Sequence, residues 1–312
     1  MQPERFLRTL PRRRLLKAAG LAFGLACLAG AIVVATREKD DFAAAMQALR
    51  DPPPFAVALV LGAVATGVFL SAVLFHILVR RFGRVPFWEM QALIAASAFA
   101  NYLPLKPGFV GRVAYHRIRH GIRAAHTLRT IVEAIALSGT VASVFLLAIV
   151  LLRRVGAPGE WALLAPAALA GLAVVPRLRP LAAALLVRQA ELALWTLRSW
   201  ASFQLVGSPV ELETAIVLGS IGVLATLVPF VSNGLGIREW VVGLLAPLVS
   251  HEEVTTGQAI VAELVHRVAE LVVVAPVGLV SIGVLFRHNR RLSRAGAVPA
   301  GAESPADAPR AE

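Results

Sequence analysis

One cysteine, Cys27, stands in a chain of 312 residues. A lone thiol forms no intramolecular disulfide and builds no cysteine-ligated metal centre. Charge is scarce as well: Asp, Glu, Lys and Arg make up 16% of the residues against 57% apolar, and the mean hydropathy is +0.72. That balance excludes an ordinary soluble domain of this length. Acidic residues are the scarcer sign, 19 against 31 basic, leaving a net charge of +12. In a soluble protein this surplus would point to nucleic acid. Here the arginines sit mainly in short loops beside apolar runs, where they act as topology signals, so nucleic acid is set aside as a partner.

What is abundant is apolar sequence in runs of membrane length. A bilayer core about 30 Å thick takes about 20 apolar helical residues. Candidate spans lie at 15–35, 55–79, 127–152, 161–175, 181–206 and 258–286. Helices close their own backbone hydrogen bonds, and the runs lack the two-residue alternation of barrel strands, so the fold class predicted is an all-α polytopic membrane bundle. Arg12, Arg13, Arg14, Leu15, Leu16 and Lys17 resemble a twin-arginine export signal. The following run is long, has no clear small-residue cleavage site and is succeeded by further spans, which favours an uncleaved first helix. Gly20 and Gly24 give that helix a weak G-x-x-x-G packing signal.

Charge sets a topology. With the basic N-terminal stretch 1–14 in the cytoplasm, the second span returns to Arg80, Arg81 and Arg84. The apolar stretch 87–103 is then flanked by basic residues at both ends, with Arg112, Arg117, Arg119, Arg123 and Arg129 beyond it. A segment that enters, breaks and returns keeps both clusters inside, and non-helical backbone at depth is allowed where protein buries it or a cavity adjoins it. The stretch 214–250 lies between Glu211 and Glu213 on one side and Glu252 and Glu253 on the other, so it is expected to enter and return from the outside. The last span ends at Arg287, Arg290, Arg291 and Arg294, which places both termini in the cytoplasm and 287–312 in a polar tail without a fold of its own. Arg153 and Arg154 fall outside, against the charge rule.

The two re-entrant stretches share a pattern. LPLKPGFVGR carries Pro104 and, seven residues on, Gly111 followed by Arg112; VPFVSNGLGIR carries Pro229 and, seven on, Gly236 followed by Ile237 and Arg238. Proline removes a donor and glycine accepts conformations closed to other residues, so each pattern breaks a helix and restarts it, at about Gly111 and Gly236. Two broken helices of opposite orientation are the sequence pointer to an inverted-repeat transporter with a site near the midplane. Restarted half-helices present unpaired N–H groups, and Arg112 and Arg238 add full charge, a combination suited to a phosphate headgroup. Arg112 would equally serve as an interface anchor, whereas Arg238, flanked by Gly236 and Glu239 in an otherwise apolar region, has the better case as a headgroup ligand. The predicted substrate-binding residues are Asn101, Tyr102, Lys106, Gly111 and Arg112 from the first segment, and Ser232, Asn233, Gly236, Arg238 and Glu239 from the second.

The segments NYLPLKPGFVGR (101–112) and VPFVSNGLGIRE (228–239) resemble the two signature segments of the lysylphosphatidylglycerol synthase transmembrane family, also called flippase-like membrane proteins. The resemblance extends over roughly residues 10 to 290, with GLGIRE the more diagnostic part. It implies an eight-helix-like bundle that, in bifunctional members, carries aminoacylated phosphatidylglycerol across the membrane; other members resemble membrane portions of polyprenyl-phosphate glycosyltransferases or stand alone. Where the family tends to have a Glu-Arg pair on the next span, this chain has Glu133 followed by Ala134. The synthase domain of the bifunctional members would need far more than the residues after Phe286, so this chain resembles a stand-alone member whose flippase-like domain covers 15–286.

Charges inside spans cost several kcal/mol and need a partner or a cavity. Arg188, Glu191, Trp195 and Arg198 recur at helical spacing on one face of the fifth span, and Glu263, His266, Arg267 and Glu270 do so on the last. Such faces are either mutually neutralised or form a polar path, with His266 or a buried Glu available for protons. The candidate transport path comprises Glu133, Arg188, Glu191, Glu263, His266, Arg267 and Glu270. Enzyme signatures are thin: His116 and His120 stand among arginines with no acidic or thiol ligand near, and His251-Glu252-Glu253 lacks the second histidine of a zinc-protease motif. Gly234 and Gly236 lie in a membrane segment and not in a strand-turn-helix. The function expected is lipid translocation in the cell inner membrane, of a phospholipid or a polyprenyl-linked lipid, without catalysis, metal or cofactor. The alternatives are a non-catalytic subunit that docks a lipid-modifying synthase or glycosyltransferase, and a membrane-embedded transferase.

Overall fold

A computed structural model of the chain describes residues 22–103, 106–227, 234–250 and 254–294. The described residues are helical and contain no strand. In chain order the helices are α1 (Ala22–Arg37), α2 (Lys39–Ala48), α3 (Pro54–Val79), α4 (Phe87–Ala100), α5 (Pro107–His120) and α6 (Ala124–Arg154). A 3-10 helix (Gly159–Val174) and a short 3-10 turn (Pro176–Leu178) precede α7 (Arg179–Leu205), α8 (Leu212–Thr226), α9 (Ile237–Val249) and α10 (Thr256–Arg294).

Three helices, α3, α6 and the first 33 residues of α10, are long and apolar enough to cross a membrane. At about 1.5 Å per residue, the 26 residues of α3 reach about 39 Å, past the ~30 Å of a hydrocarbon core. Large apolar side chains cover their outer faces: Phe55 and Phe69 on α3, Val132 and Leu147 on α6, Val272 and Val280 on α10. A soluble monomer rarely exposes so much continuous apolar surface, and lipid is the solvent that suits it. α7 has the length of a span, but Arg188, Glu191 and Arg198 remove it from the apolar set.

The predicted span at 161–175 is wound instead as a 3-10 helix. Pro166 inside it has no N–H for an α-helical bond, and the Ala-rich sequence suffers little from the eclipsed i, i+3 side chains of the tighter winding. The first half-helix also begins earlier than predicted. α5 starts at Pro107, whose missing N–H suits a helix's first turn, and Gly111 lies exposed inside the helix and not at its start. The chain reaches Pro107 through Lys106, the one non-glycine among the described residues with a left-handed backbone (φ 46°). A Cβ at Gly108 would run into the Ser97 carbonyl oxygen, so glycine there lets the start of α5 lie against the end of α4. α9 begins directly after Gly236, as expected.

α4, α5, α8 and α9 have 13 to 15 residues each, about 20 to 23 Å, too short to cross alone. α4 packs on α5 and α8 on α9, while α10 lies along α4 and α9, and α7 along α3 and α8. Contacts at helix ends order the bundle. Glu89 in the first turn of α4 meets Arg119 and His120 at the end of α5 and His288 far along α10. At other ends, Arg153 of α6 pairs with Glu213 in the first turn of α8. Glu38, before α2, accepts hydrogen bonds from the Gly257 N–H (2.8 Å) and the Thr255 hydroxyl (3.1 Å) where α10 begins. The Arg153–Glu213 pair gives the arginine that breaks the charge rule a local neutralising partner.

Candidate functional site

The interior of the bundle holds an unusual density of charge. Arg238, fully buried at the start of α9, pairs with Glu263 and, at 3.3 Å, with Glu270, both on α10. Its neighbour Glu239, equally buried, pairs with Arg267. On α7, Glu191 accepts hydrogen bonds from the Arg188 guanidinium (2.7 Å) and from the Ser71 hydroxyl of α3 (2.5 Å). Arg198 Nη1 lies 4.0 Å from Glu270. Trp195 fills the middle, with the guanidinium carbons of Arg198 and Arg238 at 4.3 and 5.2 Å from its ring centroid and the His266 ring edge-on at 5.3 Å. His266 Nδ1 is 3.7 Å from Glu263. The face shared by 188, 191, 195 and 198 and the face shared by 263, 266, 267 and 270 thus meet in one network, closed by the two charges of α9.

A cavity of about 200 Å³ adjoins this network. Its polar wall is Ser71, Asn101, Tyr102, Arg112, Glu191, Arg198 and Glu270, and Val64, Val68, Ile94 and Val274 supply apolar surface. The side chains therefore come from α3, α4, the α4–α5 break, α5, α7 and α10. Arg112 differs from every other buried guanidinium here. It is 5% exposed, and no carboxylate lies within ion-pair distance among the described residues. Its guanidinium carbon stacks 4.4 Å from the Phe75 ring and 5.5 Å from Phe109, while Nε and Nη1 have no hydrogen-bond partner. The aromatic faces hold the cation without satisfying its N–H donors. Asn101 Oδ1 and Arg198 Nε are likewise buried without hydrogen-bond partners among the described residues, and the Tyr102 hydroxyl lies beside the Glu270 carboxylate at the same cavity. Counted together, five guanidinium groups (Arg112, Arg188, Arg198, Arg238, Arg267) share this interior with four carboxylates (Glu191, Glu239, Glu263, Glu270), and the surplus positive charge is Arg112.

The residues singled out from the sequence separate into groups. Asn101, Tyr102, Arg112, Glu191 and Glu270 line the cavity, and Arg188, Arg238, Glu239, Glu263, His266 and Arg267 form the paired network behind it. Gly236 (φ 80°) packs its backbone on α1, where a Cβ would meet the Gly24 carbonyl. Lys106 is partly buried at the head of α5, and Gly111 is exposed one turn on. Glu133 stands apart, bound to Arg81 and, at 2.9 Å, to Arg129, in a cluster where both arginines approach the Phe82 ring. Ser232 and Asn233 lie outside the described residues. Besides the apolar lining, sequence reading left Ser71 and Phe75 on α3, and Arg198, out of its site. Arg198 was visible on the charged face of α7, and a serine in the middle of an apolar span was the signal for Ser71. Neither a family model nor a curated protein matches this chain.

Proposed function

We propose that this chain is a lipid translocase of the cell inner membrane whose cavity receives an anionic headgroup of a phospholipid or polyprenyl-linked lipid. The observation that carries the reading is Arg112, a buried guanidinium with free donors facing a cavity and no carboxylate of its own. A buried charge left alone is costly, and a phosphodiester offers the planar, doubly accepting partner that a guanidinium matches. The apolar side of the cavity suits the first methylenes of an acyl or prenyl chain.

End contacts support the inverted-repeat reading. Glu89 beside His120 joins the beginning of α4 to the end of α5, as in a segment that enters and leaves on one side. Glu213 beside Arg153, and Glu38 beside Thr255, connect the beginning of α8 and the segment after α9 to helix ends that the charge pattern puts outside. Both termini are then cytoplasmic. The resemblance to the lysylphosphatidylglycerol synthase transmembrane family agrees with this function.

Purified protein in liposomes tests the proposal. Movement of a labelled anionic phospholipid between leaflets, uncompeted by inorganic phosphate, is the expected result, with no aminoacyl or glycosyl transfer by the chain alone. Stable co-purification with a synthase and no lipid movement would instead make it a docking subunit, and turnover of a lipid donor would make it a transferase.

A further inference from the structure

α5 carries a second feature that headgroup binding leaves unused. Arg112, His116 and His120 follow at intervals of four, on one face of one helix. Arg112 faces the cavity. His116, one turn on and 1% exposed, makes one polar contact, Nδ1 to the Thr127 hydroxyl of α6 at 3.1 Å, and its Nε2 has no partner. His120, a further turn on, meets Glu89 of α4 at 2.9 Å. Glu89 in turn meets His288 of α10 at 2.9 Å, and His288 is 43% exposed. The His116 and His120 ring centroids are 6.5 Å apart, a gap the relay would cross through one water. A line of titratable groups thus runs from the surface, on the side the charge pattern assigns to the cytoplasm, to within one helical turn of Arg112.

The charged surroundings of His116 set what it does. On its own helix it faces Arg112 and His120; α6 presents the neutral Thr127; and among the described residues no carboxylate of α4 or α6 makes an ion pair with it. The nearby carboxylate, Glu89, is shared by His120, His288, Arg119 (3.8 Å) and the Tyr115 hydroxyl (3.4 Å). With the cavity empty, a proton on His116 would sit beside a guanidinium with nothing to balance either charge. A monoanion on Arg112 offsets one of these two positive charges and lies within a turn of the free Nε2.

We infer that His116 takes up one proton from the cytoplasmic surface, through His288, Glu89 and His120, when Arg112 receives an anionic headgroup. The proton comes from water, passes along the line and ends on His116, so a monoanion and a proton occupy the site together. The loaded site then adds no net charge, and the membrane potential, which acts on charge, neither drives nor opposes its movement. The inference rests on the anionic-headgroup reading of the cavity. His266, the other interior histidine, already lies beside the paired Glu263 and has no such line to the surface among the described residues.

The test uses the full chain in detergent, weakly buffered with a pH-indicator dye, titrated with short-chain phosphatidylglycerol. The expected result is uptake of about one proton per lipid bound. Because the bound state holds more protons, Kd should rise about tenfold per pH unit between the proton affinities of the free and loaded protein. Folded His116→Gln should bind with a flat pH profile and no uptake, and His120→Gln should slow the uptake. Phosphatidylglycerol binding to the wild type without proton uptake would overturn the inference and leave the headgroup site standing, whether or not the variants fold. Undiminished uptake in folded His116→Gln would overturn it too. Absence of binding would sink both readings, and equal uptake with inorganic phosphate would replace the lipid by a free anion.

Discussion

Arg112→Gln should reduce anionic lipid movement about ten- to hundredfold while leaving the protein as heat-stable as the wild type or more so. The loss follows from removing charge-assisted hydrogen bonds to the headgroup, each worth about 1.5–3 kcal/mol. The unchanged stability follows from the surroundings of the side chain: Arg112 has no carboxylate to strand, so neutralising it relieves a buried charge and gives up only its contacts with Phe75 and Phe109. Arg112→Lys keeps the charge and loses the planar fork and the stacking, and should fall between the two. Leaflet-exchange rates in liposomes, read beside thermal unfolding of the same preparations, check the pair of outcomes. A large loss of stability in Arg112→Gln would mean that the guanidinium is architectural.

The opposite pattern is expected at Arg238. Its side chain is fully buried between Glu263 and Glu270, so Arg238→Gln leaves two carboxylates facing each other with half their compensation gone and should destabilise the fold by about 3–5 kcal/mol. Adding Glu263→Gln should restore a good part of that loss, since the double change removes one charge of each sign; two variants in direct contact are expected to be far from additive. Thermal or denaturant unfolding of the two single variants and the double variant measures the coupling. If Arg238→Gln unfolds like the wild type but binds no lipid, the roles given to Arg112 and Arg238 are reversed.

The contrast between these arginines also marks what the sequence can disclose. Each follows a helix break and a glycine in a similar motif, and the local difference that favours Arg238 as the ligand, the neighbouring Glu239, turns out to serve Arg267 instead. Their difference lies in α10: Glu263 and Glu270 arrive beside Arg238 from a helix whose relevant turns come more than twenty residues later, and no acidic side chain arrives beside Arg112. The charged faces of α7 and α10 were legible because helical spacing alone puts 188, 191 and 198, or 263, 267 and 270, on one side. That the faces meet each other around Trp195 was not, because it depends on the order of packing in the bundle.

Helical class and the three long apolar spans were readable from hydropathy and length, since a bilayer tolerates few other arrangements of backbone. Shorter features followed rules that a span search does not contain. The segment at 161–175 is apolar but interrupted by Pro166, and it winds more tightly than an α-helix. The restart of α5 is set by Pro107 and by the close approach at Gly108, and the glycine three residues later in the motif lies past the break. Glu133, placed on the path for its position inside a span, is held in the N-terminal third of α6 by Arg81 and Arg129, a pairing whose i, i+4 half was visible and whose other half was not.

We expect the cavity beside Arg112 to hold one anionic lipid. Native mass spectrometry of the protein extracted with its own lipids tests it most directly. The expected result is one tightly retained lipid of net charge −1 per chain, lost in Arg112→Gln and retained in the folded double variant Arg238→Gln/Glu263→Gln. A wild-type protein that retains no anionic lipid, or an Arg112→Gln variant that retains it equally well, would contradict the account.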